Sequence, residues 1–232
     1  MGVSITAVIL GAGANSRLKE IVPPGLKPLL LVNGRPLIQH AIDHAVNTWK
    51  AERVVIVVGP ENAGPITAVV DHRHDFVLQP RPYGVVNAIS RALPFVKTRH
   101  TLILCADNTF EGEAPQKITL LDQFIAVNTS VRDTQERFTH LRELTIDASS
   151  HSEGTRVLST GRCEVVEYGH EYSTVWIGPL LLSTSRLIEK MGQHEVPAGI
   201  FGLLSSVGPF TMWAMNCSDL GIPEALWEST TS

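Results

Sequence analysis

A six-residue apolar segment that leads directly into a glycine-rich turn constrains the fold of this chain more than any other feature. Residues 5–10 read ITAVIL, and residues 11–16 read GAGANS. A short run without charges is typical of a strand buried on both faces of a parallel sheet. Glycines permit a tight turn because they adopt positive φ at little cost. The stretch therefore predicts a strand, a turn and a helix, with a ligand site where the strand ends.

Strand and helix patterns then alternate as far as residue 108. The predicted strands are residues 28–32, 53–59 and 75–79, and residues 100–108, which end in polar residues. The predicted helices, in which apolar residues recur every three or four positions, are residues 35–49, 63–74 and 84–96. This alternation predicts a doubly wound, largely parallel sheet that binds ligands at the carboxyl ends of its strands.

The second half is less regular. We expect strands at residues 130–133, 143–147, 155–160, 163–168, 173–182 and 210–216, and helices at residues 118–127, 181–191 and 221–229. We expect one domain over residues 1–232, with a nucleotide-binding half at 1–110 and an acceptor-binding half at 111–232.

Composition excludes several functional classes. The net charge is -4 with a sequence pI of about 6.1 and no basic stripe, which argues against a nucleic-acid polymer as partner. No apolar run approaches the roughly 18 residues of a membrane span. The three cysteines are odd in number and widely spaced, which favours reduced thiols and a cytoplasmic location.

The glycine turn fits neither of two common phosphate-binding motifs. A P-loop needs a lysine directly after its last glycine, and none follows here. A dinucleotide fingerprint needs a third glycine where Ser16 stands, and an acid at the end of the second strand, where Gly59 and Pro60 stand. A dehydrogenase is therefore the weaker alternative, and neither motif accounts for Arg17 and Lys27.

Five segments instead resemble a family of sugar-1-phosphate nucleotidyltransferases, the glucose-1-phosphate thymidylyl-, uridylyl- and cytidylyltransferases. The segments are ILGAGANSRL (9–18), LKPLLLVNGRPLIQHAI (26–42), VLQPRPYGVVNAISRA (77–92), LILCADNTF (102–110) and NCSDLGIPEAL (216–226). They occur in the family's order. Leu26 stands where the family usually has proline, and Ile222 where it usually has threonine.

The resemblance implies an α/β fold, a Rossmann-like doubly wound mixed sheet of the GT-A-like nucleotidyltransferase type in three α/β/α layers. It also implies an Mg²⁺-dependent enzyme that couples an NTP (UTP, dTTP or CTP) to a sugar 1-phosphate, giving an NDP-sugar and pyrophosphate. Relatives often form homo-oligomers, which the resemblance makes possible here.

The resemblance also assigns roles to residues of this chain. The catalytic cations would be Arg17, clamping the β- and γ-phosphates, and Lys27, placed near the α-phosphate. Asp107 and Asp219 would be the Mg²⁺ ligands, since this ion favours carboxylate oxygens. The nucleotide-binding residues would be Leu10, Gly11, Ala12 and Gly13 at the triphosphate, and Gln79 and Gly84 at the base.

The acceptor side departs from the family pattern. The expected acceptor-binding residues are Asn108, Glu167, Tyr168 and Gly178, but Tyr168 stands where many relatives carry a phosphate-binding lysine. Asn108 is equally compatible with a role in a turn. Tyr168, Tyr172 and Trp176 suggest an alternative acceptor, because aromatic faces bind quaternary ammonium groups such as that of phosphocholine. A non-catalytic nucleotide-binding relative is the remaining alternative.

Overall fold

The computed structural model describes residues 3–13, 22–23, 25–115, 118, 123–127, 139–145, 162–166, 174–192 and 199–219. The strands are β1 Ile5–Leu10, β2 Leu31–Val32, β3 Arg35–Pro36, β4 Arg53–Val58, β5 Asp75–Leu78, β6 His100–Cys105, β7 Asn108–Glu111, β8 Phe124–Val127, β9 Thr139–Thr145, β10 Arg162–Val166, β11 Thr174–Ser183, β12 Phe210–Ala214 and β13 Asn216–Asp219. The α-helices are α1 Leu37–Asp43, α2 Ala63–Val69, α3 Val85–Ala92, α4 Thr184–Met191 and α5 Gly199–Val207. A π-helical turn, His44–Thr48, extends α1, and 3₁₀ turns lie at Lys27–Leu29 and Leu93–Phe95.

Nine of the described strands form one mixed sheet in the order β5-β4-β1-β6-β11-β8-β12-β10-β9. The first four are parallel, and β11 joins β6 in the antiparallel direction. From β1 the chain moves outward to β4 and β5, then returns to β6 on the other side of β1. The gap between the ends of β1 and β6 is therefore a topological switch point, where open α/β sheets bind ligands.

Helices cover both faces of this sheet. Ile5, Ala7 and Ile9 of β1 belong to the same buried cluster as α1, whereas Val8 belongs to a cluster with α3. Successive residues of a strand point to opposite faces, so a continuous apolar strand requires a helical layer on each side. The predicted doubly wound mixed sheet in three layers is confirmed.

Two predictions of individual elements were wrong at least in part, and one helix was missed. Residues 28–32 form a strand only at Leu31–Val32, because Pro28 lies in the 3₁₀ turn, has a fixed φ and donates no hydrogen bond. The helix expected at 118–127 is contradicted at Phe124–Val127, which is β8 between β11 and β12. Helix α5 was not predicted from its glycine-containing sequence. The elements expected at 130–133, 155–160 and 221–229 lie outside the described residues.

Within the described part of the chain, every helix is too short or too polar to cross a lipid bilayer.

Candidate functional site

The ends of four neighbouring strands are joined by backbone hydrogen bonds at one edge of the sheet. Gly11, directly after β1, donates its amide to Val57 of β4 over 2.8 Å. Ala106, directly after β6, donates to the Leu10 carbonyl over 3.1 Å, and Gln79 after β5 donates to the Val58 carbonyl over 2.8 Å. The loops that follow these strands therefore begin side by side, and the residues expected to bind nucleotide lie on them.

The two glycines of the first turn differ in their surroundings. A Cβ on Gly11 would lie 3.1 Å from the Val57 carbonyl oxygen, so this position is closed to larger residues by the neighbouring backbone. A Cβ on Gly13 would have no atom of the described residues within 4 Å. Gly11 therefore allows the strands to pack closely, whereas Gly13 leaves the backbone accessible at the edge. Leu10, at the end of β1, and Ala12, between the two glycines, are half-buried.

Lys27 and Asp107 meet at this edge. Lys27 begins the 3₁₀ turn before β2 and is only 3% exposed, and Asp107 follows β6. The Lys27 Nζ lies 2.5 Å from Asp107 Oδ2. A nearly buried ammonium group is costly unless an anion compensates it, so this short ion pair accounts for a lysine at the sheet edge.

The backbone of Asp219 lies close to Asp107. Strands β7 and β13 pair antiparallel, and Asp219 is the register partner of Asn108, the residue after Asp107. The Asp219 side chain lies outside the described part of the structure. One carboxylate position directly before β7 and one at the end of the paired β13 suit Mg²⁺, which one or two carboxylates and substrate phosphates commonly bind. The described residues alone contain no cluster of three or more potential ligands among His, Cys, Asp and Glu.

The side chain of Gln79 is held in one orientation. It is 4% exposed, and its Nε2 donates to the Gly84 carbonyl and to Asn87 Oδ1, each over 3.1 Å. Asn87 Oδ1 also accepts a 3.3 Å hydrogen bond from Arg91 Nε on the next turn of α3. Because two acceptors hold the amide nitrogen, the orientation of the Gln79 carbonyl oxygen is fixed. Gly84 has φ +85 and no described atom within 4 Å of a Cβ position.

The remaining predicted residues lie on β7 and β11 or outside the described residues. Asn108 is buried, and its Nδ2 donates to Cys217 Sγ over 3.4 Å, which ties β7 to β13. Gly178 of β11 has φ +117 and faces Cys217 and Ala126. Arg17, Glu167 and Tyr168 lie outside the described residues, so their predicted roles stay predictions.

A buried histidine of the π-helical turn packs against β7. The His44 ring stacks on Phe110 at a centroid distance of 4.9 Å, and its Nε2 accepts a 3.0 Å hydrogen bond from Trp49 Nε1. Burial lowers the pKa of His44 to about 4. The ring is therefore neutral at pH 7, which matches its role as an acceptor for an indole N–H.

Sequence reasoning missed Asn62 and Asn87. Asn62 lies directly before α2, is 1% exposed and hydrogen-bonds to three glycine backbones. The available signal was its position, because asparagine before a helix is a common cap. Asn87 stood within a recognised segment, but its contact with Gln79 depends on the packing of α3 against β5.

Comparisons with known proteins support a nucleotidyltransferase. The bifunctional protein GlmU of Paraburkholderia phymatum is 39% identical over 101 residues, which cover 43% of this chain and 21% of that protein. GlmU of Methanococcus maripaludis is 31% identical over 133 residues, covering 57% of this chain and 31% of that protein. The chain thus spans less than a third of the length of either relative.

Solved structures share the fold over nearly the whole chain. A protein described as a glucose-1-phosphate thymidylyltransferase from Bacillus anthracis superposes with a TM-score of 0.73 at 19% identity, covering 98% of this chain and 94% of that one. The inositol-1-phosphate CTP transferase of T. maritima gives 0.73 at 13% identity, covering 99% and 96%. At such identities the likeness establishes the fold.

The family assignment comes from residues 7–140, which match the sequence model of a family described as the MobA-like NTP transferase domain. The matched segment includes the glycine turn, Lys27, Gln79 and Asp107, and it is more than half of the 232 residues. The predicted resemblance to nucleotidyltransferases is confirmed at this level, and the chain belongs to the MobA-like NTP transferase domain family.

Proposed function

We propose that this protein is a Mg²⁺-dependent nucleotidyltransferase that couples an NTP to a sugar 1-phosphate, releasing an NDP-sugar and pyrophosphate. The observation that carries the proposal is the position of Lys27, nearly buried and 2.5 Å from Asp107, at the switch point beside Gly11–Gly13. A cation, a carboxylate and an accessible backbone at one strand edge suit a triphosphate. Neighbours of the same fold include a UTP-bound enzyme from Acinetobacter baumannii and a CTP transferase.

The proposed reaction joins two polyanions. A phosphate oxygen of the acceptor attacks the α-phosphorus of the NTP, the bond from that phosphorus to the bridging oxygen breaks, and pyrophosphate leaves with the electron pair. Lys27 would stabilise the charge that accumulates on the α-phosphate, and Arg17 would bind the leaving pyrophosphate. Fixed charges of this kind need no reorganisation during the reaction, so positioning and neutralisation supply most of the catalysis.

Asp107 and Asp219 would hold the metal in this scheme. Bound Mg²⁺ would neutralise phosphate charge and orient the triphosphate. For Lys27 to act on the α-phosphate, its ammonium group must exchange at least part of its contact with Asp107 for a phosphate oxygen. Nucleotide binding would therefore release the carboxylate of Asp107 at the same time as it engages the lysine.

The orientation of Gln79 favours a uracil or thymine base. Since Nε2 already donates to Gly84 and Asn87, the carbonyl oxygen Oε1 is the atom that would face a ligand. N3 of uracil and thymine carries a hydrogen and donates, whereas N3 of cytosine accepts. The cytosine amine at C4 would also donate to an acceptor, so the proposal places Oε1 opposite N3, where it supports UTP or dTTP as the donor nucleotide. The open space at Gly84 would admit the base edge.

Residues 111–232 would bind the acceptor, with residues 1–110 binding the nucleotide. Gly178 and Asn108 lie on strands that adjoin Cys217. Glu167 and Tyr168 complete the proposed acceptor site. Because tyrosine replaces the usual lysine, the acceptor phosphate would depend on another cation.

Pyrophosphate release by the purified protein tests the proposal. UTP, dTTP, CTP, ATP and GTP would each be combined with glucose 1-phosphate, other sugar 1-phosphates and phosphocholine, with and without excess EDTA. We expect release that needs a sugar 1-phosphate, is lost with EDTA and is abolished in Lys27→Met. Release only with CTP and phosphocholine would show that the acceptor is a phosphorylated alcohol and not a sugar 1-phosphate. NTP binding without release for any pair would indicate a non-catalytic relative.

A further inference from the structure

We infer that Asn62 is a positioning residue, a side-chain clamp that joins the glycine turn to the segment carrying Lys27. The inference rests on the proposed transferase function. It gives a part in that function to a residue that lies outside the recognised sequence motifs. Asn62 Nδ2 donates to the Gly11 carbonyl and to the Gly25 carbonyl, each over 2.8 Å, and Asn62 Oδ1 accepts from the Gly59 amide over 2.8 Å. One amide group thus connects the residue after β1, the residue after β4 and the approach to Lys27.

The use of this side chain is unusual for its place in the chain. Asn62 precedes α2, where an asparagine normally accepts a hydrogen bond from the first turn of its own helix. Here the side chain makes no such capping bond to the described turn and points instead into the space between three loops. It therefore gives up a local stabilising contact for contacts between segments that are distant in sequence.

Packing around Gly25 supports the same conclusion. Gly25 has φ +76, and a Cβ there would lie 3.2 Å from the Glu61 Cβ and 3.5 Å from the Asn62 Cβ. The turn before α2 therefore lies directly against the backbone that leads to Lys27, two residues later. Because Asn62 is 1% exposed, water cannot readily replace its two donated hydrogen bonds.

The clamp has a consequence for catalysis. The backbone of Gly11–Gly13 would hold the triphosphate, and Lys27 would act on its α-phosphorus. Hydrogen bonds from the Asn62 amide help to set the distance between these two groups, together with the Gly11–Val57 backbone bond and the Lys27–Asp107 ion pair. A displacement of about 1 Å at a reacting group can reduce a rate by roughly a hundredfold. Base recognition at Gln79 and Gly84 does not involve Asn62, so substitution of Asn62 should leave it unchanged.

Asn62→Asp isolates the two donated bonds, because a carboxylate of the same shape can still accept from Gly59 but cannot donate to Gly11 and Gly25. Asn62→Ala removes all three bonds and serves if the aspartate variant fails to fold. The matched control is Gln123→Leu. Gln123 is another buried amide, 3% exposed, whose Nε2 donates over 2.7 Å to the carbonyl of Val207, the last residue of α5.

Two measurements test the clamp. Amide hydrogen exchange reports on the turn at Lys27 through Leu29 and Leu30, whose amides donate to the Leu26 and Lys27 carbonyls. We expect exchange there to rise about tenfold or more in Asn62→Asp, with little change in Gln123→Leu. We also expect kcat to fall about 30-fold or more while the KM for the NTP changes less than about threefold.

The outcomes separate this inference from the proposed function. Absence of turnover in the unaltered protein would refute the proposed function, and the exchange experiment would still decide whether the clamp exists. Unchanged exchange at Leu29 and Leu30 in both Asn62 variants would overturn the clamp. Faster exchange with a kcat equal to that of Gln123→Leu would show that Asn62 is merely structural.

Discussion

Lys27 and Asp107, 80 positions apart in the sequence, form a 2.5 Å ion pair beyond the carboxyl end of β6, which pairs with β1 to its last residue. The two side chains are unequally exposed: that of Lys27 is 4% accessible and that of Asp107 is 34% accessible. Water can therefore solvate the carboxylate but hardly the ammonium. Because of this inequality the two partners should respond differently to substitution, and the carboxylate is the more solvent-accessible end of the pair.

Replacing the two partners should destabilise the protein to different extents. Asp107→Asn removes the countercharge of a nearly buried ammonium and should lower the free energy of unfolding by about 1–3 kcal/mol. Lys27→Met leaves a carboxylate that water reaches and should cost less than about 1 kcal/mol. Both should reduce turnover by about a hundredfold or more. Urea denaturation and pyrophosphate release measure the two effects, and equal losses of stability would contradict the unequal burial.

Asn87 should contribute to base discrimination through Gln79. In Asn87→Ala, Gln79 Nε2 keeps only the Gly84 carbonyl of its two acceptors, so the amide can rotate and present its nitrogen to the base. We expect the ratio of kcat/KM for UTP to that for CTP to fall about five- to tenfold. Arg91→Ala is the graded control, because its 3.3 Å bond to Asn87 is exposed and should matter less. An unchanged ratio in Asn87→Ala would refute this orientation of Gln79.

Gly178→Ala should destabilise the sheet where β11 passes β13. Gly178 has φ +117, and a Cβ would lie 3.3 Å from the Cys217 Cβ and 3.4 Å from the Ala126 Cβ. Strain of this kind costs about 1–3 kcal/mol. Gly64→Ala is the matched control, because Gly64 lies in α2 and a Cβ there would have no described atom within 4 Å. This substitution should raise the free energy of unfolding by about 0.5–1 kcal/mol. The two variants should shift the urea midpoint in opposite directions, and shifts of the same sign would count against the strain at Gly178.

His44 should make stability decrease with acidity between about pH 6.5 and pH 4. Burial lowers the pKa of His44 from 6.5 to about 4. Below pH 6.5 the unfolded chain takes up a proton that the folded protein does not, so the stabilisation is complete above pH 6.5 and lost as pH falls through about 4. The full loss is on the order of 3 kcal/mol. The free energy of unfolding, measured with urea at each pH in this range, should change less steeply with pH in His44→Gln than in the unaltered protein. An equal dependence on pH in both proteins would assign the acid sensitivity to other groups.

The sequence alone determined the parts of the structure that depend on local pattern. The apolar runs at β1, β4 and β6 and the amphipathic repeat of α3 specified the doubly wound half, because burial on one or both faces leaves a periodicity in the chain. The motifs also indicated Lys27, Gln79 and Asp107, since each lies directly after a recognisable strand or loop. The expected helix at 118–127 failed because a short apolar run is compatible with either a buried helix or a central strand.

Only the tertiary structure decided which polar groups meet. The order of strands brings Lys27 to Asp107, and the packing of α2 against two loops turns Asn62 from a helix cap into a clamp. Contacts of this kind depend on hydrogen bonds between segments that are 37, 51 and 80 positions apart, which no local pattern encodes. A buried polar side chain must find a partner, but the fold determines which partner is within reach.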